Sequence, residues 1–258
     1  MRVRLLVAGL FAAAVLIVVG FALAHEKSEP VSSSAGSQSS TRCSQPARPP
    51  TINRPKWYTA HRATVLVDSV LLGGMDALRR NLPRWKVAQI GRPAIMVHTL
   101  NDELRARGRD VAPLVVVGVG YDSLWERNRV RYRIWAKEFD DQARELLGIL
   151  KHEGAQQFVW VKLRLPTRGD TPSSAWWQID KYAWYFPYVN EQLRKLDRRR
   201  SDLALANWTK VSKRSGLTYD SIHLNPKGAA LMAKTIKSTI RTEARRQAVV
   251  TRHPRAGC

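Results

Sequence analysis

From Ala63 onward the chain alternates short apolar runs with amphipathic stretches. Residues 63–67 (ATVLV) form a β-branched run that ends at Asp68-Ser69, and 85–90 (WKVAQI) end at Gly91. Residues 113–120 (PLVVVGVG) are apolar throughout, which predicts a strand buried on both faces. Residues 157–165 (QFVWVKLRL) stop before Pro166, and 202–208 (DLALANW) give a fifth, weaker strand. Helical patterns fill the intervals: one after Gly74, others over 92–107, 130–152 and 188–200, and a last one from Pro226 to about 246, where proline suits a first helical turn. Within 130–152, the residues Ile134, Phe139, Ala143, Leu146, Leu147 and Leu150 are expected on one apolar face. This alternation predicts an α/β fold with a mostly parallel sheet of about five strands, right-handed crossovers and helices on both faces. Such sheets bind ligands beyond the carboxyl ends of their strands.

The pattern changes at both ends. Arg2 and Arg4 precede an uncharged run, Leu5 to Ala24. It is long enough to cross a bilayer core of ~30 Å as a helix, with its start held in the cytoplasm by the arginines. Ala22-Leu23-Ala24 fits a signal-peptide cleavage site before His25, whereas the length of the run, beyond the usual core of ~7–15 residues, fits a retained anchor. Residues 1–24 are therefore expected to be a signal peptide or a transmembrane anchor. Either predicts that the remainder faces outward from the cell membrane or is secreted to the cell wall. Residues 25–56, rich in Ser, Pro, Gly, Gln and Arg, read as a flexible linker, leaving an α/β domain at 57–247 and a basic tail at 248–258. Cys43 and Cys258 fall in these flanks, where they are either paired, with each other or another chain, or free thiols.

Composition narrows the class. A hydrophobic content of 44% excludes wholesale disorder, and two cysteines cannot build a disulfide framework or a four-cysteine zinc site. The formal net charge of +22 implies attraction to polyanions, which include nucleic acid, anionic lipid and acidic wall polymers. The apolar N-terminal run disfavours nucleic acid and leaves an anionic envelope surface as the expected partner. Arg198-Arg199-Arg200 and the stretch from Arg241 to Arg255 are the basic clusters, read either as solvated faces or as contacts to such a surface. The histidines show no metal-ligand spacing, and no phosphate-binding loop or dinucleotide fingerprint occurs, so neither metal nor organic cofactor is expected.

The chemistry should lie just past the strands. Ser69 follows the first strand and opens a helix. A serine nucleophile needs a base to take its proton, and that base needs an orienting acceptor. His223 can serve as the base, with Asp220 three residues earlier as the acceptor. The backbone N–H groups of Ser69 and Gly91 are candidates for stabilising an oxyanion. Each piece also has an ordinary reading: Asp-Ser as a helix cap, Gly91 as a turn residue, Asp220 as a turn cap.

In this order VDSVLLG, QIGRP, GVGYD and DSIHLNPKG resemble the four sequence blocks of the SGNH (GDSL-like) hydrolases. The variant resembles the extracellular catalytic domains of cell-wall O-acetyltransferases and related actinobacterial envelope proteins. The resemblance spans about 60–240. It implies a three-layer α/β/α, flavodoxin-like fold and a serine esterase or acyltransferase that acts on ester groups of envelope carbohydrate or lipid. It implies Ser69 as nucleophile, His223 as base, Asp220 as its partner and Gly91 as an oxyanion residue. Two positions depart from the family pattern. Val67 replaces the glycine of Gly-Asp-Ser. Asp122 stands where the third block carries an asparagine whose amide donates to the oxyanion, and an ionised carboxylate can only accept. Activity is therefore expected to be impaired unless Asp122 is protonated or the backbone donors suffice. The alternative is a catalytically weak envelope-binding protein.

Trp176, Trp177, Tyr182, Trp184, Tyr185, Phe186 and Tyr188 crowd one segment after the fourth strand. They form either a buried minicore or a substrate wall. Tyr121, Trp125, Trp176 and Trp177 are the candidate substrate-binding residues.

Overall fold

The computed structural model describes residues 50–251, except Arg109 and Glu126. The 1–24 signal or anchor segment, most of the 25–56 linker, Cys43 and Cys258 lie outside the described residues. Seven strands are present among the described residues: β1 (Thr51–Asn53), β2 (Arg62–Val67), β3 (Lys86–Gly91), β4 (Leu114–Gly118), β5 (Gln157–Val161), β6 (Leu203–Ala206) and β7 (Val249–Thr251). The helices are α1 (Lys56–Thr59), α2 (Ser69–Leu72), α3 (Met75–Asn81), α4 (Val97–Arg107), α5 (Tyr132–His152), α6 (Trp176–Tyr182), α7 (Phe186–Arg199), α8 (Trp208–Val211) and α9 (Pro226–Arg246). Among the described residues no helix is long and apolar enough to cross a membrane.

Five strands form one all-parallel sheet in the order β3-β2-β4-β5-β6. Helices α3 and α9 pack together, while α4, α5 and α7 pack in series. The result is the expected three-layer α/β/α arrangement with flavodoxin-like strand order, in which the chain reverses direction across the sheet between β2 and β4. Strands β4 and β5 are buried along their whole length, as residues covered on both faces must be. The fifth strand, weakest by sequence, closes the sheet beside β5.

Register matters most for the site. Val67 is paired with Gly91 on one side and Gly118 on the other, so three neighbouring strands end level. Two glycines permit this. At Gly91 φ is +116°, and a Cβ would fall 2.2 Å from the Val67 carbonyl oxygen. At Gly118 a Cβ would fall 2.1 Å from Leu71 Cδ2, so α2 settles onto β4 only because that position has no side chain.

Several boundaries differ from the sequence reading. Ile134 is 52% exposed and leaves the buried face of α5, which runs through Ala136, Phe139, Ala143, Leu147 and Leu150. It lies two residues ahead of Ala136, about 200° around a 3.6-residue turn, so it points to water. The fourth strand ends at Val161 rather than 165, and the helix expected over 92–107 begins at Val97. The linker and tail also contribute structure at their inner edges. β1 pairs antiparallel with β7, with Thr51 opposite Thr251. Nearby, Trp57 Nε1 donates to Gln247 Oε1 at 2.8 Å, and Gln247 Nε2 donates to Gln157 Oε1 at 2.7 Å. The structured domain is therefore wider than 57–247.

Two glycine substitutions should separate close packing from helix propensity. Gly118→Ala should destabilise the domain by about 1–3 kcal/mol through overpacking against Leu71. Gly148→Ala, exposed in α5 where a Cβ would meet nothing within 4 Å, should stabilise it by about 0.5–1 kcal/mol. Denaturant unfolding of both variants checks the opposite signs.

Candidate active site

Ser69 opens α2 immediately after β2 because Asp68 caps that helix. The Asp68 side chain is fully buried, and its Oδ1 accepts from the backbone N–H of Val70 at 3.0 Å and of Leu71 at 3.4 Å. Its Oδ2 accepts from Tyr121 N–H at 3.3 Å, which ties the β2–α2 turn to the loop after β4. Burial, with the nearby Asp122 charge, pushes the Asp68 pKa up to about 7 even though three N–H groups oppose the shift. The ordinary helix-cap reading thus holds for Asp68. Its cap takes the Val70 and Leu71 N–H groups and leaves that of Ser69 outside it.

The structure brings Ser69, His223 and Asp220 together across 154 residues of sequence between Ser69 and His223. Ser69 Oγ lies 3.1 Å from His223 Nε2, and His223 Nδ1 lies 2.7 Å from Asp220 Oδ2. Asp220 Oδ1 accepts from the backbone N–H of His223 at 2.7 Å and of Ile222 at 3.1 Å. Gln178 Nε2, on α6, donates to Asp220 Oδ2 at 3.3 Å. Burial pushes the Asp220 carboxyl up, but its hydrogen bonds from the His223 ring and backbone and from Ile222 outweigh that, and it lies well below the usual carboxylate range. The Asp220 hydrogen bond raises the pKa of His223 above its ordinary 6.5 against desolvation, and the charges of Asp220, Asp68 and Asp122 add to the rise. This arrangement can accept a proton at Nε2 and hold the resulting imidazolium.

The loop that carries Asp220 and His223 is strained and pinned. Ser221 has φ +75°, a left-handed conformation costly for a side-chain-bearing residue. Arg164, 2% exposed, holds it: its Nη1 donates to the Ser221 carbonyl at 2.9 Å and to Thr218 Oγ1 at 3.0 Å, and its Nε donates to the Ser212 carbonyl at 3.0 Å. Thr167 N–H donates to Ser221 Oγ at 3.1 Å. Arg164 escaped the sequence reading, which placed it inside a strand. The only signal for it was a charge next to a run that should be buried.

Of the oxyanion candidates, Gly91 sits beside Val67 in the sheet register, two residues from Ser69. Asp122 lies in the turn after β4, half-buried, with a carboxyl that makes no hydrogen bond or ion pair to any described residue. Arg92 and Arg127 are engaged elsewhere, Arg92 with Glu103 at 2.7 Å and Arg127 with Glu138 at 2.9 Å. Burial raises the Asp122 pKa, and the positive charge of His223 opposes the rise.

The aromatic segment divides. Tyr185 and Phe186 are completely buried and Tyr182 nearly so, whereas Trp176 and Trp177 are exposed on α6, the helix that also carries Gln178. The minicore reading therefore describes Tyr182, Tyr185 and Phe186 and leaves Trp176 and Trp177 at the surface. Tyr121 does not line a surface. It is 4% exposed, its ring meets Phe186 edge-to-face at 5.1 Å, its hydroxyl accepts from Arg164 N–H at 2.8 Å, and the Tyr185 hydroxyl donates to its carbonyl. A tyrosine used in these contacts is a brace, which corrects its assignment to substrate binding. Trp125 is half-buried, tilted on Tyr182 at 5.7 Å, with Lys181 Nζ 3.0 Å above its ring centroid. Among the described residues no group of three or more His, Cys, Asp or Glu side chains could hold a metal ion.

No family model matches this sequence, and no curated protein matches it. Solved structures share its fold at low identity. An inferred acylhydrolase from Bacteroides fragilis matches with a TM-score of 0.57 and 12% identity, over 75% of this chain and 91% of that one. A GDSL-like lipase from Bacteroides thetaiotaomicron matches with a TM-score of 0.55 and 11% identity, over 71% and 89%. An inferred SGNH hydrolase from Slackia heliotrinireducens matches with a TM-score of 0.51 and 15% identity, over 69% and 98%. The described domain has the fold of the SGNH, or GDSL-like, hydrolases, with a serine, a histidine and an aspartate hydrogen-bonded in series at the carboxyl end of its sheet.

Proposed function

We propose that this protein is an extracytoplasmic serine esterase that acts on acyl esters of cell-envelope carbohydrate or lipid through an acyl-enzyme. The observation that carries the reading is the continuous relay from Ser69 Oγ through His223 to Asp220. In the first half-reaction His223 Nε2 takes the Ser69 proton as Oγ attacks the ester carbonyl carbon. The carbonyl oxygen becomes an oxyanion, for which the N–H groups of Ser69 and Gly91 are the proposed donors. His223 then gives its proton to the departing alkoxide, leaving the acyl group on Ser69. Water, activated by the same histidine, attacks that ester and releases the acid. A sugar hydroxyl in place of water would make the same site an O-acyltransferase, which shares the first half-reaction. Asp220 stays ionised throughout and stabilises the imidazolium.

The exposed Trp176 and Trp177 beside Gln178 support a substrate that presents sugar rings or acyl chains, since both bury well against indole faces. Ser69→Ala and His223→Ala should each lower hydrolysis of a simple acetyl ester by about 10³-fold or more while the unfolding midpoint is kept. Because His223 works only when neutral and its pKa is raised, kcat/KM should climb with pH through an acid limb above 6.5. Activity of Ser69→Ala equal to that of the parent protein would reject this reading.

Asp122 sets the second expectation. As an anion near the developing oxyanion it opposes the intermediate, and its charge helps to raise His223. Asp122→Asn removes both effects and supplies an amide donor. Turnover should rise by about tenfold, part of the ~10²–10³ that one oxyanion donor is worth. The acid limb should move to lower pH, widening the active range. A pH profile that is unchanged, with turnover flat or reduced, would remove Asp122 from the oxyanion site.

The location is proposed from the uncharged run Leu5–Ala24. An alkaline-phosphatase fusion after Pro50 should be active in cells, and a silent fusion would overturn the placement.

A further inference from the structure

At the opposite end of the sheet from Ser69, where β2 and β3 begin, lies a recess of about 490 Å³. Its lining includes Arg54, Arg84, Lys237 and Arg241, together with Tyr58 and Trp85. A second hollow continues from it along α9, sharing Asn81, Lys237 and Arg241 and adding Lys234 and Arg245. Neither hollow has an acidic residue in its lining. None of these six cations takes part in an ion pair among the described residues. In contrast, Arg198 of the basic run lies 4.0 Å from Glu191, and Arg200 is bonded to Asp202 at 2.8 Å. Glu243, the sole acid on α9, is committed to Arg246.

Lys234, Lys237, Arg241 and Arg245 recur at intervals of three and four, so they form one stripe on the helix. At 1.5 Å per residue the stripe runs about 16 Å, and its two middle members, Lys237 and Arg241, line the aromatic recess. We propose that this stripe and recess bind a linear phosphodiester polymer of the cell envelope, one built on sugar or polyol units. Four things favour that occupant. Spaced cations in line match spaced anions in line, and arginine forks suit phosphate oxygens. The hollow is concave, which admits a chain but not the flat headgroup layer of a membrane. The rings are packed on one another edge-to-face, Tyr58 on Trp85 at 5.6 Å and His61 on Trp85 at 5.5 Å, with Arg54 over Tyr58 at 5.1 Å. Rings so covered offer walls for a polyol or sugar rather than free platforms for successive bases. The N-terminal apolar run also points the chain toward the envelope. The site is separate from Ser69 and does not rest on the esterase reading. It would hold the enzyme on a polymer while the other end of the sheet works.

The test uses the full chain and a synthetic poly(glycerol phosphate) oligomer, with oligo(dT) of equal charge and phosphatidylglycerol vesicles as the other two arms. The parent protein should bind the oligomer with an affinity that falls between about 50 and 200 mM salt, with a log–log slope of about −0.7 per phosphate contacted. The K237E/R241E variant should bind about tenfold or more weakly, with a slope reduced by about half. R198E/R199E, which changes charge equally elsewhere, should bind like the parent. Thermal unfolding of both variants establishes that they are folded. If K237E/R241E unfolds early, K237Q/R241Q replaces it, with a smaller loss in the same direction. Equal binding by K237E/R241E and the parent, equal losses in both charge-reversed variants, or tighter binding of oligo(dT) or vesicles than of the oligomer would each overturn the proposal.

Discussion

The level ending of three parallel strands is the constraint on which the rest of the site depends. Val67 lies between Gly91 and Gly118, and Ser69, Gly91 and the Asp122 turn all leave the sheet within a few residues of that line. Asp68 turns the register into a rigid corner. One buried carboxylate satisfies two N–H groups at the start of α2 and one in the loop after β4, so the serine and the Asp122 turn cannot shift independently. A carboxylate placed there is costly to bury, and the upward shift in its pKa reflects that cost.

The histidine arrives from far away in sequence and needs its own support. A left-handed Ser221 between Asp220 and His223 bends the chain so that the aspartate reaches back to the imidazole. Arg164 stabilises that bend from the far side, with one guanidinium bridging three points of the loop while its own N–H anchors Tyr121. Through Tyr121 and Tyr185 this second support joins the first, because Tyr121 N–H is what Asp68 holds. Strain in the loop and packing under the serine are thus one connected system. Acid density is its consequence: Asp68, Asp122 and Asp220 all raise the proton affinity of His223, and only Asp220 is also hydrogen-bonded to it.

Much of this was legible in the sequence because it is set by local pattern. Strands covered on both faces must be apolar throughout, so β4 and β5 stand out, and helix α9 announces itself with Asn225-Pro226 and a long apolar stripe. Ser69, Asp220 and His223 could be named because the chemistry needs those side chains next to particular element ends. What was not legible depends on long-range closure. Nothing in three-residue β1 or β7 marks them as partners 200 positions apart. Tyr121 looks like a surface aromatic until Arg164 and Tyr185 reach it, and Arg164 looks like strand until the chain leaves the sheet after Val161. The cationic stripe is half visible in the sequence: Arg241 stands out within a basic tail, but its neighbours on α9 matter only once α1 and the turn before β3 close the recess.

The central claim is that this architecture makes one serine chemically unlike the others, and covalent labelling tests it directly. Incubation with a fluorophosphonate, followed by peptide mass spectrometry, should give a single adduct on Ser69. The adduct should be absent in His223→Ala, where no base remains to take the proton. Labelling spread over several serines, or labelling of Ser69 that persists at the parent rate without His223, would contradict the account.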